Sequence, residues 1–201
     1  MDDGYIKYSS ERREGNVPES AQLEALNQAR TSLFDLGLIG VYPDGVGYGN
    51  LSVRSTGDQF VVTGSATGRN RILRHDQYCL VEAFSADRNV VQSVGALPAS
   101  SEAMTHGAIY AANPAVYCVV HVHSRTLFAY WLASNRLATS ADIPYGTPAM
   151  AHAVTQLVQR QSELPVLFAM AGHDEGIVAY GSDVATTTAL LLAEWKRSKT
   201  P

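Results

Sequence analysis

The spacing of apolar positions changes character several times along the chain. Leu23, Leu26, Ala29, Leu33 and Leu36 recur at intervals of three and four. That spacing predicts a helix over residues 18–36, with Pro18 near its first turn and Gly37 as its stop. A shift to short, β-branched runs follows. Residues 51–54 and 59–63 read as two strands joined through a Gly57-Asp58 turn. Residues 78–82 form another strand, and residues 87–93 a turn and a short edge. Ser100 and Ser101 then cap a helix carrying Glu102, Met104, His106 and Tyr110. The apolar run 116–120 is a buried strand that ends in His121-Val122-His123. Ser124 caps a helix over residues 125–133, whose Leu127, Phe128, Trp131 and Leu132 are core or interface positions. Thr147 caps, and Pro148 opens, a helix to about residue 161. A strand over 165–170, a turn over 172–176 and a strand over 177–180 follow. Ser182 caps a last helix, to about Lys196.

Residues 1–17 are polar and aperiodic. They read as a tail or a subunit-clasping arm, and residues 18–201 as one domain. No internal repeat or low-complexity segment is present.

Composition narrows the class. Of 201 residues, 46% are hydrophobic and only 17% charged. That charge fraction is low for a domain of this size and implies extra buried surface, most simply between subunits. The net charge is −4, and no basic cluster exceeds Lys196-Arg197-Ser198-Lys199, which argues against a nucleic-acid partner. No apolar run approaches the ~20 residues that span a bilayer, and the N-terminus lacks the apolar core of a secretory signal. The two cysteines, Cys79 and Cys118, lie in apolar runs and are expected as buried thiols of a cytoplasmic protein.

The chemistry centres on the strand end. Residues two apart on a strand share a face, so His121 and His123 leave it side by side, close enough to share one metal ion. Glu102 lies upstream at a helix start. His173, in the segment AGHDEG, is the best candidate for a third imidazole. Three histidines and an acid suit a catalytic zinc site, with nitrogens about 2.0–2.1 Å from the ion and a position left for substrate. A His-x-His pair alone is more often an ordinary pair of surface or buried histidines. His106 follows Glu102 by one helical turn and is expected to pack or to support the site rather than to ligate; His152 is expected at a surface or interface. The glycine-rich stretch around GVGYGN invites a nucleotide reading, but it does not join a strand to a helix as a dinucleotide fingerprint does. The small, hydroxyl-rich loop over residues 64–68 is either an anion-binding nest or a plain turn. The helix start at Ser100 and Ser101 presents free N–H groups suited to an anion, a role compatible with simple capping.

Six segments in order carry a resemblance: GYGNLSVR (47–54), TGSATG (63–68), PASSEAMTH (98–106), HVHS (121–124), YGTPAMA (145–151) and GHDEGIVAYG (172–181). Together they resemble the class II aldolase/adducin family over residues 21–193. The resemblance implies an α/β fold, a three-layer α/β/α sandwich around a mostly antiparallel sheet. It also implies a homotetramer with active sites at subunit interfaces, and a zinc-type divalent metal. On that resemblance His121, His123 and His173 hold the metal. Glu102 is the catalytic base and a further ligand that moves aside when substrate arrives. Gly49, Asn50, Thr67, Gly68, Ser100 and Ser101 hold a phosphate or equivalent anion; alignment on Leu73 favours Thr67-Gly68 over Thr63-Gly64. Tyr145 is expected to offer a hydroxyl from a neighbouring subunit.

The implied activity is a lyase of aldolase type on a small hydroxy-carbonyl compound, a sugar phosphate by family habit, through an enediolate. Dehydratase, epimerase and decarboxylase chemistry on the same site are alternatives, as is a non-catalytic interaction module like the adducin head. Two departures stand out. Asp174 and Glu175 intervene where the aldolases commonly have Gly directly after the third histidine. The sequence also ends at Pro201, without the C-terminal segment that brings those aldolases a tyrosine.

Overall fold

The computed structural model describes residues 5–18 and 21–200. Its strands are β1 (Ser9–Arg13), β2 (Gly40–Val41), β3 (Gly47–Tyr48), β4 (Asn50–Arg54), β5 (Phe60–Thr63), β6 (Tyr78–Ser85), β7 (Val90–Val94), β8 (Cys118–His123), β9 (Val166–Ala169) and β10 (Gly176–Gly181). Its helices are α1 (Ala21–Asp35), α2 (Ala103–Ala112), α3 (Arg125–Ala133), α4 (Pro148–Gln159) and α5 (Val184–Arg197). Eight strands make one sheet in the order β1-β7-β6-β5-β4-β8-β10-β9, and β2 and β3 make a small separate hairpin. Only β1 and β7 pair in parallel; the other neighbours are antiparallel.

The period-two pattern of β8 sorts its side chains between two cores. Cys118, Val120 and Val122 pack with Leu26, Leu33, Leu127 and Leu191 from α1, α3 and α5. Val119 packs on the opposite face, with Met104, Ile109, Val154 and Val158 from α2 and α4. The molecule is therefore the three-layer α/β/α sandwich that the resemblance implied. Each fully buried aliphatic side chain contributes about 1.5–3 kcal/mol, so both faces of the sheet hold their helices. His121 and His123 stand on Val119's face, at the end of the strand.

Several expectations need correction. The segment expected as a tail or arm supplies β1, in register with β7 from Ser9 opposite Val90 to Arg13 opposite Val94. All five of its side chains are exposed, so the strand leaves no apolar signature and rests on backbone pairing. This strand also makes β7 an interior strand, not the edge. Pro18, the expected start of the first helix, is not helical; the described part of α1 begins at Ala21, and residues 19 and 20 lie outside the described residues. Leu36 is exposed beyond the helix end, while Arg30, one residue from the stripe, is buried. Glu102 occupies the cap position of α2 rather than its first turn and makes no side-chain cap of its own, while Ser100 Oγ accepts from Glu102 N at 3.4 Å. Asp183, not Ser182, caps α5, accepting from Thr186 N at 2.7 Å. Ser124 and Thr147 cap α3 and α4 as expected. Cys79 and Cys118 are buried free thiols, one in each core. Among the described residues no helix is long and apolar enough to cross a membrane.

Candidate active site

The register of the sheet assembles the histidines. β8 lies between β4 and β10, so His121 stands opposite both Asn50 and Val178, and His123 opposite Gly176. The link from β9 to β10 is a tight reversal. His173 N donates to Met170 O at 2.8 Å, and Gly176 N donates to His173 O at 2.9 Å. The imidazole of His173 folds back over the strand end. Gly176 makes room for it, since a Cβ there would run into His173 Cδ2. The Nε2 atom of His123 lies 3.1 Å from that of His121 and 2.8 Å from that of His173.

Burial sets the charge of this cluster. All three imidazoles are buried. Loss of hydration drives His121 and His173 well below their ordinary pKa, with the neighbouring histidines adding to the effect. Desolvation likewise lowers His123 to about 4. At neutral pH the three rings are uncharged, the form that ligates metal. The outer nitrogens select the tautomer. His121 Nδ1 donates to Ile177 O at 3.2 Å, which leaves its Nε2 lone pair facing the other two rings. Among the described residues this is the group whose ligand atoms all lie within 4.8 Å of one another, and Glu102 is not in it. Converging, neutral nitrogen donors with a fixed tautomer fit a divalent transition metal.

Beside the cluster lies a cleft of about 450 Å³. Its walls are the β2–β3 hairpin, the loop over residues 64–68 and the start of α2, with Gly49, Asn50, Thr67, Gly68, Ser100 and Ser101 all lining it. Tyr48 lines it too, and its ring lies 5.6 Å from that of His123, so cleft and cluster adjoin. The loops approach each other backbone to backbone. A Cβ on Gly68 would run into the Gly40 carbonyl oxygen. Gly49 has φ +78°, a conformation that favours glycine. Arg30 holds the loop from behind, donating to Thr67 O and Arg71 O at 3.0 Å each and to Asn70 O.

A family model described as Class II Aldolase and Adducin N-terminal domain matches residues 43–194. The chain belongs to this family. It is 30% identical over 186 residues to 3-oxo-tetronate 4-phosphate decarboxylase from Haemophilus influenzae, covering 84% of this chain and 80% of that one. L-fuculose-1-phosphate aldolase from Thermus thermophilus superposes with a TM-score of 0.60 at 20% identity, over 90% of this chain and 99% of that one. YgbL from Klebsiella pneumoniae gives 0.63 at 21% identity, over 88% and 86%. At these identities the two structures establish the shared fold.

In this class II aldolase-family chain, Glu102 is 2% exposed and adjoins Ser101 at the cleft. Its Oε2 accepts from the Thr105 hydroxyl at 2.6 Å. His106 lies behind the site, its Nδ1 2.7 Å from Ser52 Oγ, which also meets the Tyr110 hydroxyl at 2.8 Å. Burial lowers His106 to about 3, with His121 adding to the effect. His152 is on the surface, 3.1 Å from Asp87, as expected. Both Thr63-Gly64 and Thr67-Gly68 line the cleft. Tyr145, expected to serve a neighbouring subunit, is buried in its own chain with its ring 4.2 Å from that of His173. The turn at Gly146, φ +67°, brings it there.

Sequence reasoning missed several residues. Lys7 Nζ sits 3.6 Å over the Tyr145 ring, because β1 anchors the segment before it. Tyr5 and Ile6 reach the cleft from that same segment, and Arg69 adds an exposed guanidinium to its wall. Tyr42 touches His123 from the hairpin. The only available signal was the position of Tyr42 and Tyr48 on either side of the glycine-rich turn.

Proposed function

We propose that this chain is a divalent-metal-dependent carbon–carbon lyase of aldolase type, acting on a small, phosphorylated hydroxy-carbonyl compound. The observation that supports this reading is the convergence of three buried, neutral imidazole Nε2 atoms beside a cleft whose lining combines neutral anion donors with Arg69 and Asp44. His121, His123 and His173 would hold the ion, and zinc suits this donor set. When bound, the ion supplies Lewis acidity to a substrate carbonyl.

The chain's own groups do the rest. Backbone N–H groups and hydroxyls of Gly49, Asn50, Thr67, Gly68, Ser100 and Ser101 hold the phosphate. They add no formal charge, so they bind an anion without locking it in place. The Thr105 hydroxyl fixes the Glu102 carboxylate in one orientation. In aldol cleavage Glu102 takes the proton from the hydroxyl β to the carbonyl. The carbon–carbon bond breaks, its electron pair passes toward the carbonyl, and Glu102 returns the proton to the carbon left behind. Tyr145, its ring against His173, would orient the substrate.

A second reading, decarboxylation of a phosphorylated 3-oxo acid, is favoured by the relative named 3-oxo-tetronate 4-phosphate decarboxylase. It uses the same site: carbon dioxide departs, the electron pair passes toward the ketone, and the carbon is protonated. A purely structural module has no use for three convergent, buried imidazoles. The low charge fraction of 17% supports a tetramer, and two buried free thiols support a reducing, cytoplasmic setting.

The test joins metal analysis to a substrate screen of phosphorylated ketoses, aldoses and 3-oxo acids. We expect about one divalent ion per chain, turnover abolished by chelation, and either an aldehyde or carbon dioxide as co-product. A protein that turns over such a substrate without metal, or whose metal content is unchanged in the His121→Ala, His123→Ala double variant, refutes the reading.

A further inference from the structure

Glu175 belongs to the two-residue departure after the third histidine. Its backbone lies at φ +64°, a left-handed conformation that a non-glycine residue rarely adopts. Such a conformation is maintained only where surrounding contacts over-determine it, and here they do. Glu175 O accepts from Ser124 N at 3.0 Å, which ties this turn to the residue directly after His123. Its side chain is only 20% exposed. Oε1 accepts from Arg125 Nε at 3.0 Å and Nη2 at 2.9 Å. Oε2 accepts from the Tyr42 hydroxyl at 3.1 Å.

That last bond decides a tautomer. Tyr42 has one hydroxyl proton, and the carboxylate takes it. The Tyr42 oxygen also lies 2.8 Å from His123 Nδ1, so it accepts there and His123 Nδ1 carries the proton. The reverse assignment would set two acceptor oxygens against each other. His123 Nε2 is then a bare lone pair, and it faces the Nε2 atoms of His121 and His173.

We propose that Glu175 is a positioning residue for the metal ligand His123, acting through the Tyr42 hydroxyl, with Arg125 holding the carboxylate. The inference rests on the reading of the three-histidine cluster as a metal centre. A carboxylate at the far end of such a chain fixes the ring and raises the basicity of the ligating nitrogen. At this left-handed position the Glu175 carboxylate completes the hydrogen-bond chain through Tyr42 to His123. Tyr42 lies on the hairpin that also forms the cleft wall, and its ring sits 4.5 Å from that of Tyr48. The device therefore joins the metal cluster to the substrate cleft.

The experiment measures zinc affinity of the metal-stripped protein against a chromophoric chelator, together with the His123 tautomer by two-bond ¹H–¹⁵N couplings before zinc is added. Tyr42→Phe and Glu175→Gly should each weaken zinc binding about 10–100-fold. The double variant should be no weaker than Tyr42→Phe alone, because both act through one Nδ1. Glu175→Gly relieves the left-handed backbone, so its thermal midpoint should not fall; a loss of zinc affinity in a fully stable variant is a positioning effect. Wild-type His123 should be protonated at Nδ1, and Tyr42→Phe should lose that preference. Zinc affinities within twofold of wild type in both single variants overturn the inference while leaving the metal centre intact. A wild-type protein that binds no zinc overturns the metal reading instead, and the tautomer then decides: a His123 protonated at Nε2 refutes the arrangement.

Discussion

Acidifying the metal-free protein should unfold it through its buried histidines. His106 and His123 titrate at about 3 and about 4 in the folded chain, both through burial. In the unfolded chain both return to about 6.5. Between those values the unfolded state binds more protons than the folded one. Stability is therefore complete above about pH 6.5, declines as pH falls, and the loss saturates near pH 4 for His123 and pH 3 for His106. At 1.36 kcal/mol per pH unit, each group removes about 2 kcal/mol at pH 5, together about 4 kcal/mol. His121 and His173 are shifted in the same direction and add to this. A domain holds only about 5–15 kcal/mol in all, so the transition should be visible by pH 5. Urea unfolding of chelator-treated protein at pH 7.5 and pH 5.0 provides the measurement. His106→Asn should recover about 2 kcal/mol of the pH-dependent difference, whatever its effect at pH 7.5. A change below about 1 kcal/mol between the two pH values would refute the claim that these rings are held neutral by burial.

Glu102→Gln should stay folded and zinc-loaded while turnover falls about 10²–10⁴-fold; exchange of the substrate's α-proton with deuterium, followed by NMR, should stop, and exchange near the wild-type rate would move the base elsewhere. Gly68→Ala sets a Cβ against the Gly40 carbonyl, so the loop must shift. Its KM for a phosphorylated substrate should rise about tenfold or more, equivalent to at least about 1.4 kcal/mol, with metal content unchanged; an unaltered KM would exclude this loop from phosphate binding. Light scattering at micromolar concentration should give a tetramer, and a fully active monomer would contradict that assembly.

How much was legible in advance depended on the range of the signal. His121 and His123 could be placed together from sequence because a strand's two-residue period is a local property of the backbone. The caps at Ser124 and Thr147 were legible for the same reason, since each acts on an N–H three residues on. The family resemblance marked Gly49, Gly68, Ser100 and Ser101, and all four line the cleft. β1 was not legible, since its side chains are exposed and its partner lies some eighty residues away in sequence. Nothing local marks Arg30 for burial, because the loop carbonyls that accept from it lie far along the chain.

The sequence by itself determined the two-residue period of β8, the helix stripes, and a set of residue types suited to metal and phosphate. Tertiary structure alone decided which of them meet. It folded His173 onto His123, brought Tyr145 to its own chain's site, laid the N-terminal segment at the cleft, and joined Glu175 to His123 through Tyr42. Local periodicity is written in neighbouring residues. A hydrogen bond across 133 positions, as between Tyr42 and Glu175, depends on how whole elements pack, and no short stretch of sequence encodes that.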